Sequence, residues 1–196
     1  LSAGNFVIDP ATPTASLTNI PVTYNGSAQT PTIARMSGGA ATLATGGTGT
    51  NAGSYPATVD CAASANYTAA AGLSAGNFVI DPATPTVTVT NGPVDYDGLT
   101  HAATVSCLGG GVASNILTGG AASQINAGTY TVTADCAASA NYAAATGVTA
   151  GNNFVINQIA PTASVTNTPQ NYTGAAQSAT VACLGGGVAS NILTGG

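Results

Sequence analysis

Residues 126–142 read NAGTYTVTADCAASANY, and the first eleven of them carry a period of two. Tyr130, Val132, Ala134 and Cys136 fall on one side of an extended chain, and Thr129, Thr131, Thr133 and Asp135 on the other. Alternation of this kind marks a strand with one buried and one wet face, because successive side chains of a strand point to opposite sides. The Asn126-Ala127-Gly128 turn opens it. The same reading extends outward. Ala103, Val105 and Cys107 alternate with Thr104 and Ser106, and Val87 and Val89 alternate with Thr86, Thr88 and Thr90. Asn91-Gly92, Asp97-Gly98, Gly109 to Gly111 and Gly119-Gly120 supply the turns between them.

These segments recur. LSAGNFVIDPATPT occupies 1–14 and again 73–86, and TAGNNFVINQIAPT at 149–162 is a diverged third copy. DCAASANY stands at 60–67, and its counterpart at 135–142 is identical. NAGSY begins at Asn51 and NAGTY at Asn126, while CLGGGVASNILTGG starts at Cys107 and again at Cys183. Tyr-x-Gly turns begin at Tyr24, Tyr96 and Tyr172. Self-similarity at this period means one supersecondary unit used repeatedly. The expected division is a closing strand of a preceding repeat at 1–9, full repeats at 10–81 and 82–158, and the first half of a further repeat at 159–196. Each full repeat holds six or seven short strands, so the expected fold class is all-β: tandem small immunoglobulin-like antiparallel β-sandwich repeats. The short Asp81-Pro82-Ala83-Thr84-Pro85 linker is proline-stiffened, which predicts a semi-rigid rod.

Composition narrows the function. Charged residues make up 4% of the chain: one Arg, six Asp, no Lys and no Glu. An ordinary domain carries about 25%. A basic surface for nucleic acid is excluded. No apolar run reaches the roughly 18 residues of a membrane span, so no membrane insertion is expected. An uncharged surface of Thr, Ser, Asn and Gly repels its neighbours weakly and suits packing against copies of itself.

The order of a Thr/Val strand, a Tyr-x-Gly turn, an NAGTYTVTA strand, a late Asn-Tyr and a closing Phe-Val-Ile strand resembles the MBG or YDG-type bacterial surface repeat. That resemblance covers essentially the whole chain. It implies immunoglobulin-like modules in long tandem arrays of secreted and cell-surface proteins.

Cys107 and Cys136 both read inward on separate strands of one repeat, the arrangement a disulfide between two sheets needs. Cys61 aligns with Cys136, but Arg35 stands in the place of Cys107, so Cys61 has no partner in its own repeat. Cys183 is unpaired within the sequence too, its expected partner lying beyond residue 196, and a leftover cysteine such as Cys61 is expected free or linked to another module or chain. The inward-phased Arg35 is expected at a strand end with its head in water.

Other residues read blandly. His101 reads as alone, with no second His, Glu or nearby Asp to make a metal site or an acid–base pair, and so as a solvent-facing strand residue. Asp95 and Asp97 resemble a fragment of a calcium loop, but the other copies lack the charges, so turn chemistry explains them. Asp9 and Asp81, one carboxylate per junction, are too few for calcium. No cofactor is expected. Asn25, Asn66 and Asn171 head N-glycosylation sequons, with chance or O-linked sugar as alternatives. The tyrosines recur at equivalent positions, which predicts packing roles.

The expectation is a non-enzymatic structural module of an extracellular fibre or surface filament, with copies of itself as partner. The alternative is a stalk of a bacterial cell-surface adhesin whose repeats contact glycan. Residues 1–9 and 159–196 read as incomplete repeats: either a window of a longer array, or ends completed by strand exchange between copies.

Overall fold

The structure, a computed structural model, describes residues 4–35 and 39–194, and the Arg35 side chain lies outside that description. Among the described residues the chain is all-β, with several sheets and no helix. The first repeat contributes β1 (Ala15–Thr18), β2 (Val22–Thr23), β3 (Thr32–Arg35), β4 (Ala41–Thr45), β5 (Gly53–Cys61) and β6 (Ala70–Asp81). β1 and β3 pair antiparallel as a small sheet, and a larger sheet runs in the order β2-β6-β5-β4. Only β2, beside β6, pairs parallel there.

The second repeat contributes β7 (Val87–Val89), β8 (Val94–Asp95), β9 (Val105–Cys107), β10 (Ala113–Thr118), β11 (Gly128–Tyr130), β12 (Val132–Cys136), β13 (Ala145–Thr149) and β14 (Phe154–Asn157). β7 pairs with β9 as β1 does with β3. The larger sheet is split here into β10-β12-β13 and β11-β14-β8. The split falls where this repeat has Gly151-Asn152-Asn153 against Gly76-Asn77 in the first. The additional asparagine is used: Asn152 takes the Val89 N–H at 2.8 Å and donates to the Val89 carbonyl at 3.1 Å. It thereby caps an edge of β7 whose backbone groups would otherwise face no strand. β15 (Thr162–Val165) and β16 (Val181–Leu184) form an antiparallel pair in the third.

In each full repeat the small sheet packs on the larger strands over one core. Val87, Val89 and Cys107 of the small sheet meet Val132, Ala134, Cys136, Phe154 and Ile156 of the larger strands. In the first repeat Leu17 meets Ala57, Val59, Cys61, Phe78 and Ile80. The period of two read at 130–136 is the burial pattern found, with Val132, Ala134 and Cys136 buried and Tyr130 half-buried. Each fully buried Phe, Val or Ile contributes about 1.5–3 kcal/mol relative to exposure.

One expected element differs. The closing strand read at 1–9 is not a strand in its described residues 4–9, and Phe6 is 90% exposed while its copy Phe78 is 0% exposed. The two segments share the sequence GNFVIDP. The copy at 76–81 pairs with β5 and β2, whose edges are thereby taken, so the other lacks the partners that make this sequence a strand.

Candidate functional site

Among the described residues no group of three His, Cys, Asp or Glu side chains could hold a metal ion. No helix of the described chain is long and apolar enough to cross a membrane. The sequence reading of His101 as a lone solvent-facing residue is corrected. Its Nε2 lies 2.8 Å from Asp97 Oδ1, because the Asp97-Gly98 turn folds the carboxylate back towards it. Gly98 makes that turn with φ +80°, and Asp97 Oδ1 also takes the Leu99 N–H at 2.8 Å. Together the Leu99 N–H and the His101 ring hold Asp97 below the usual carboxylate range.

Equivalent positions explain the histidine. Gln29 donates to the Thr23 carbonyl at 3.0 Å, and Gln177 donates to the Asn171 carbonyl at 2.7 Å and to Thr173 Oγ1 at 2.9 Å. His101 occupies the place of these two glutamines and pins the same turn. Asp135 is likewise a turn acceptor. It is held below the usual carboxylate range first by the Asn115 side-chain amide and then by the Gly147 N–H.

Cys107 and Cys136 are joined by a disulfide with Cα atoms 6.0 Å apart, tying β9 of the small sheet to β12 of the larger one. Cys61 is buried and Cys183 half-buried, both as free thiols. Cys61 sits across from Ala41 and Ala70, while the Arg35 backbone pairs with Ala15 as Cys107 pairs with Val87. The expectation for the Arg35 head group concerns a side chain outside the described residues.

The sequon asparagines Asn25, Asn66 and Asn171 are exposed and lie apart from the disulfide. Asn25 is an Asx turn, its Oδ1 taking the Ser27 N–H at 2.9 Å. The carbonyls of Asn66 and Asn171 accept from the Ala11 N–H and from Gln177. Asp9 and Asp81 are exposed, and the Asp81 carbonyl accepts the Tyr24 N–H at 2.8 Å.

The contact that most of the repeated motifs build is the joint between the two full repeats. In the Asn-Ala-Gly turns the tyrosine hydroxyl four residues on donates back to the turn: Tyr55 to the Asn51 carbonyl and Tyr130 to the Asn126 carbonyl, both at 2.7 Å. The first of these turns presents its free polar groups to the second repeat. Asn141 Oδ1 takes the Ala52 N–H at 2.8 Å and Asn141 Nδ2 donates to Asn51 Oδ1 at 3.1 Å. Beside them the rings of Tyr24 and Tyr142 meet edge to face, centroids 5.6 Å apart at 73°.

Both halves are held from behind. The Tyr24 N–H is anchored on the end of β6 at Asp81. The Asn141-Tyr142 segment is anchored on the linker, where the Ala83 N–H donates to the Asn141 carbonyl and the Ala143 N–H to the Ala83 carbonyl, each at 2.9 Å. Tyr142 lies over Gly109, where an added Cβ would stand 2.1 Å from the ring. That close approach accounts for the first glycine of the Gly109 to Gly111 run. The sequence shows Asn-Tyr and Tyr-x-Gly as recurring motifs and predicts packing roles for their tyrosines, without a partner. The available signal was the identity of AASANY at 62–67 and 137–142, which lies beyond the alternating strand pattern.

No known protein family, curated protein or solved structure matches this chain.

Proposed function

We propose that the chain is a structural, non-catalytic piece of an extracellular fibre or surface filament, built from tandem immunoglobulin-like β-sandwich modules stacked as a rod. The modules are the repeats at 10–81 and 82–158, with 159–196 as the opening half of another and 1–9 as the end of a preceding one. The observation that carries this reading is the joint: Asn51, Ala52 and Tyr24 of one repeat are bound by Asn141 and Tyr142 of the next. A joint made of residues that recur in the repeats is what a stacked array needs, because each added module brings the same contact.

Two further features support it. A disulfide across a small core of Ala, Val, Ile and one Phe fits an oxidising environment outside the cell. A chain with 4% charged residues lacks the repulsion that keeps neighbouring surfaces apart. Negative-stain imaging of the secreted protein tests the proposal. Filaments of regular diameter are the expected result. Isolated particles of varied curvature that bind a glycan array would replace it with the adhesin-stalk reading.

A further inference from the structure

A second copy of the joint's receiving half is present among the described residues. Tyr96, Ala127, Ile159, Leu184 and Gly185 line a cleft of 780 Å³. By position in the repeat, these five match Tyr24, Ala52, Ala83, Leu108 and Gly109, of which Tyr24, Ala52, Ala83 and Gly109 meet Asn141 or Tyr142. The backbone match extends to the glycine, with φ +97° at Gly109 and +106° at Gly185. Tyr130 holds the Asn126 turn as Tyr55 holds the Asn51 turn. Where Tyr24 is covered by Tyr142, Tyr96 stays 37% exposed. The β15–β16 pair behind the cleft shows Val165 and Leu184 at 49% and 64% exposed, whereas their counterparts Val89 and Leu108 are 8% and 57% exposed. The difference at Val165 marks a face that in the second repeat is covered by the strands from β10 to β14.

We infer that this cleft is the receiving half of a further module joint, and that its occupant is the closing half of a repeat with the chemistry of residues 113–158. The occupant's Asn-Tyr turn enters between Tyr96 and Gly185. The asparagine binds Asn126 and the Ala127 N–H, the tyrosine packs on Tyr96, and a cysteine in the place of Cys136 faces Cys183. The inference rests on the reading of the chain as stacked structural modules, and supplies the rule by which one module accepts the next. Formation of the bridge releases two protons and two electrons to an external thiol oxidant such as a disulfide of low molecular weight.

The test extends the chain after Gly196 with a copy of residues 121–158, which continues the repeat without a break because 107–120 and 183–196 are identical. Amide exchange at Ala127 is read by mass spectrometry or NMR, along with free-thiol count in a glutathione redox buffer. The expected result is roughly tenfold slower exchange at Ala127 than in the unextended chain, with Cys183 no longer reactive. Tyr96→Ala returns Ala127 exchange towards the unextended rate without freeing Cys183. The separate 113–158 polypeptide added to the intact chain gives the same protection, and supports the assignment independently of how the extended chain folds. Unchanged exchange at Ala127 in both formats overturns the inference. So does protection in the unextended chain that rises with protein concentration, which would place a second intact copy in the cleft. Short monodisperse particles in micrographs would remove the fibre reading and leave Ala127 protection as it is, so the two failures are distinguishable.

Discussion

Asn141 satisfies two polar groups of the neighbouring repeat at once, the Ala52 N–H at 2.8 Å and the Asn51 side chain at 3.1 Å. Asparagine suits this place because its amide offers an acceptor and a donor about 2 Å apart in one plane. Asn141→Ala removes both bonds and is expected to weaken the coupling between repeats by about 1–3 kcal/mol. The check is amide exchange: Ala52 should exchange faster by one to two orders of magnitude, with β5 and β12 amides unchanged. Equal acceleration throughout the second repeat would mean that the substitution damaged that repeat's own fold.

The disulfide closes a loop of sequence separation 29. Loop-closure entropy at that length predicts that Cys107→Ser with Cys136→Ser costs roughly 3–4 kcal/mol, read as a lowered urea midpoint confined to the second repeat. The converse substitution is more telling. Arg35 pairs with Ala15 in the register in which Cys107 pairs with Val87, and Cys61 is a buried free thiol. Arg35→Cys is therefore expected to bond with Cys61 and raise the midpoint of the first repeat. Two reactive thiols at positions 35 and 61 after oxidation would contradict the equivalence of the repeats.

Thr118 is fully buried and its hydroxyl accepts the Ala103 N–H at 3.1 Å. Thr118→Val keeps the shape and leaves that N–H without a partner, at an expected cost of about 1–3 kcal/mol. Equilibrium urea unfolding measures it. Thr118→Ser keeps the hydroxyl, and by the same measurement should recover the polar part of the loss.

Asp97 and Asp135 both hold folded-state values below the usual carboxylate range, through their hydrogen bonds. A depressed folded value means that the unfolded chain binds the proton first as pH falls. Their contribution is therefore complete above the unfolded value of about 4 and is lost as pH falls through the folded values below it. Asp97→Asn introduces the residue that the first repeat carries at this place, Asn25, whose Oδ1 takes the equivalent N–H. In acid titrations monitored by circular dichroism, Asp97→Asn and Asp135→Asn should each flatten the loss of stability below about pH 4. A titration identical to that of the unaltered chain would discard the assignment.

The strand faces were legible in the sequence because a single rule governs them. Every second residue from Tyr130 to Cys136 meets the core, and the same alternation marked Cys107 as a residue that faces inward. Two other features depend on partners remote in the chain. Phe6-Val7-Ile8 and Phe78-Val79-Ile80 are the same letters, but only the second triplet has β5 and β2 beside it. Its burial is decided by available edges, which no local pattern encodes. The joint was hidden for a related reason. Asn51 and Asn141 are 90 residues apart, and Asn-Tyr lies outside the alternation that marks a strand face. His101 was misread because it was weighed as a chemical group, when its position in the repeat, shared with Gln29 and Gln177, states its role.

The Asn51–Asn141 contact joins two unlike surfaces, and both full repeats carry the residues of both surfaces. Such a heterologous contact is not a two-fold: repeated in the same sense each time, it builds an open column where the rotation per step does not close and a ring where it does. It has a direction, fixed by which face carries the asparagine turn. Errors also accumulate along it. A substitution that tilts one Asn-Tyr seat by a few degrees does little to a single pair, but in the proposed stack, if present in every repeat, it would change the pitch throughout.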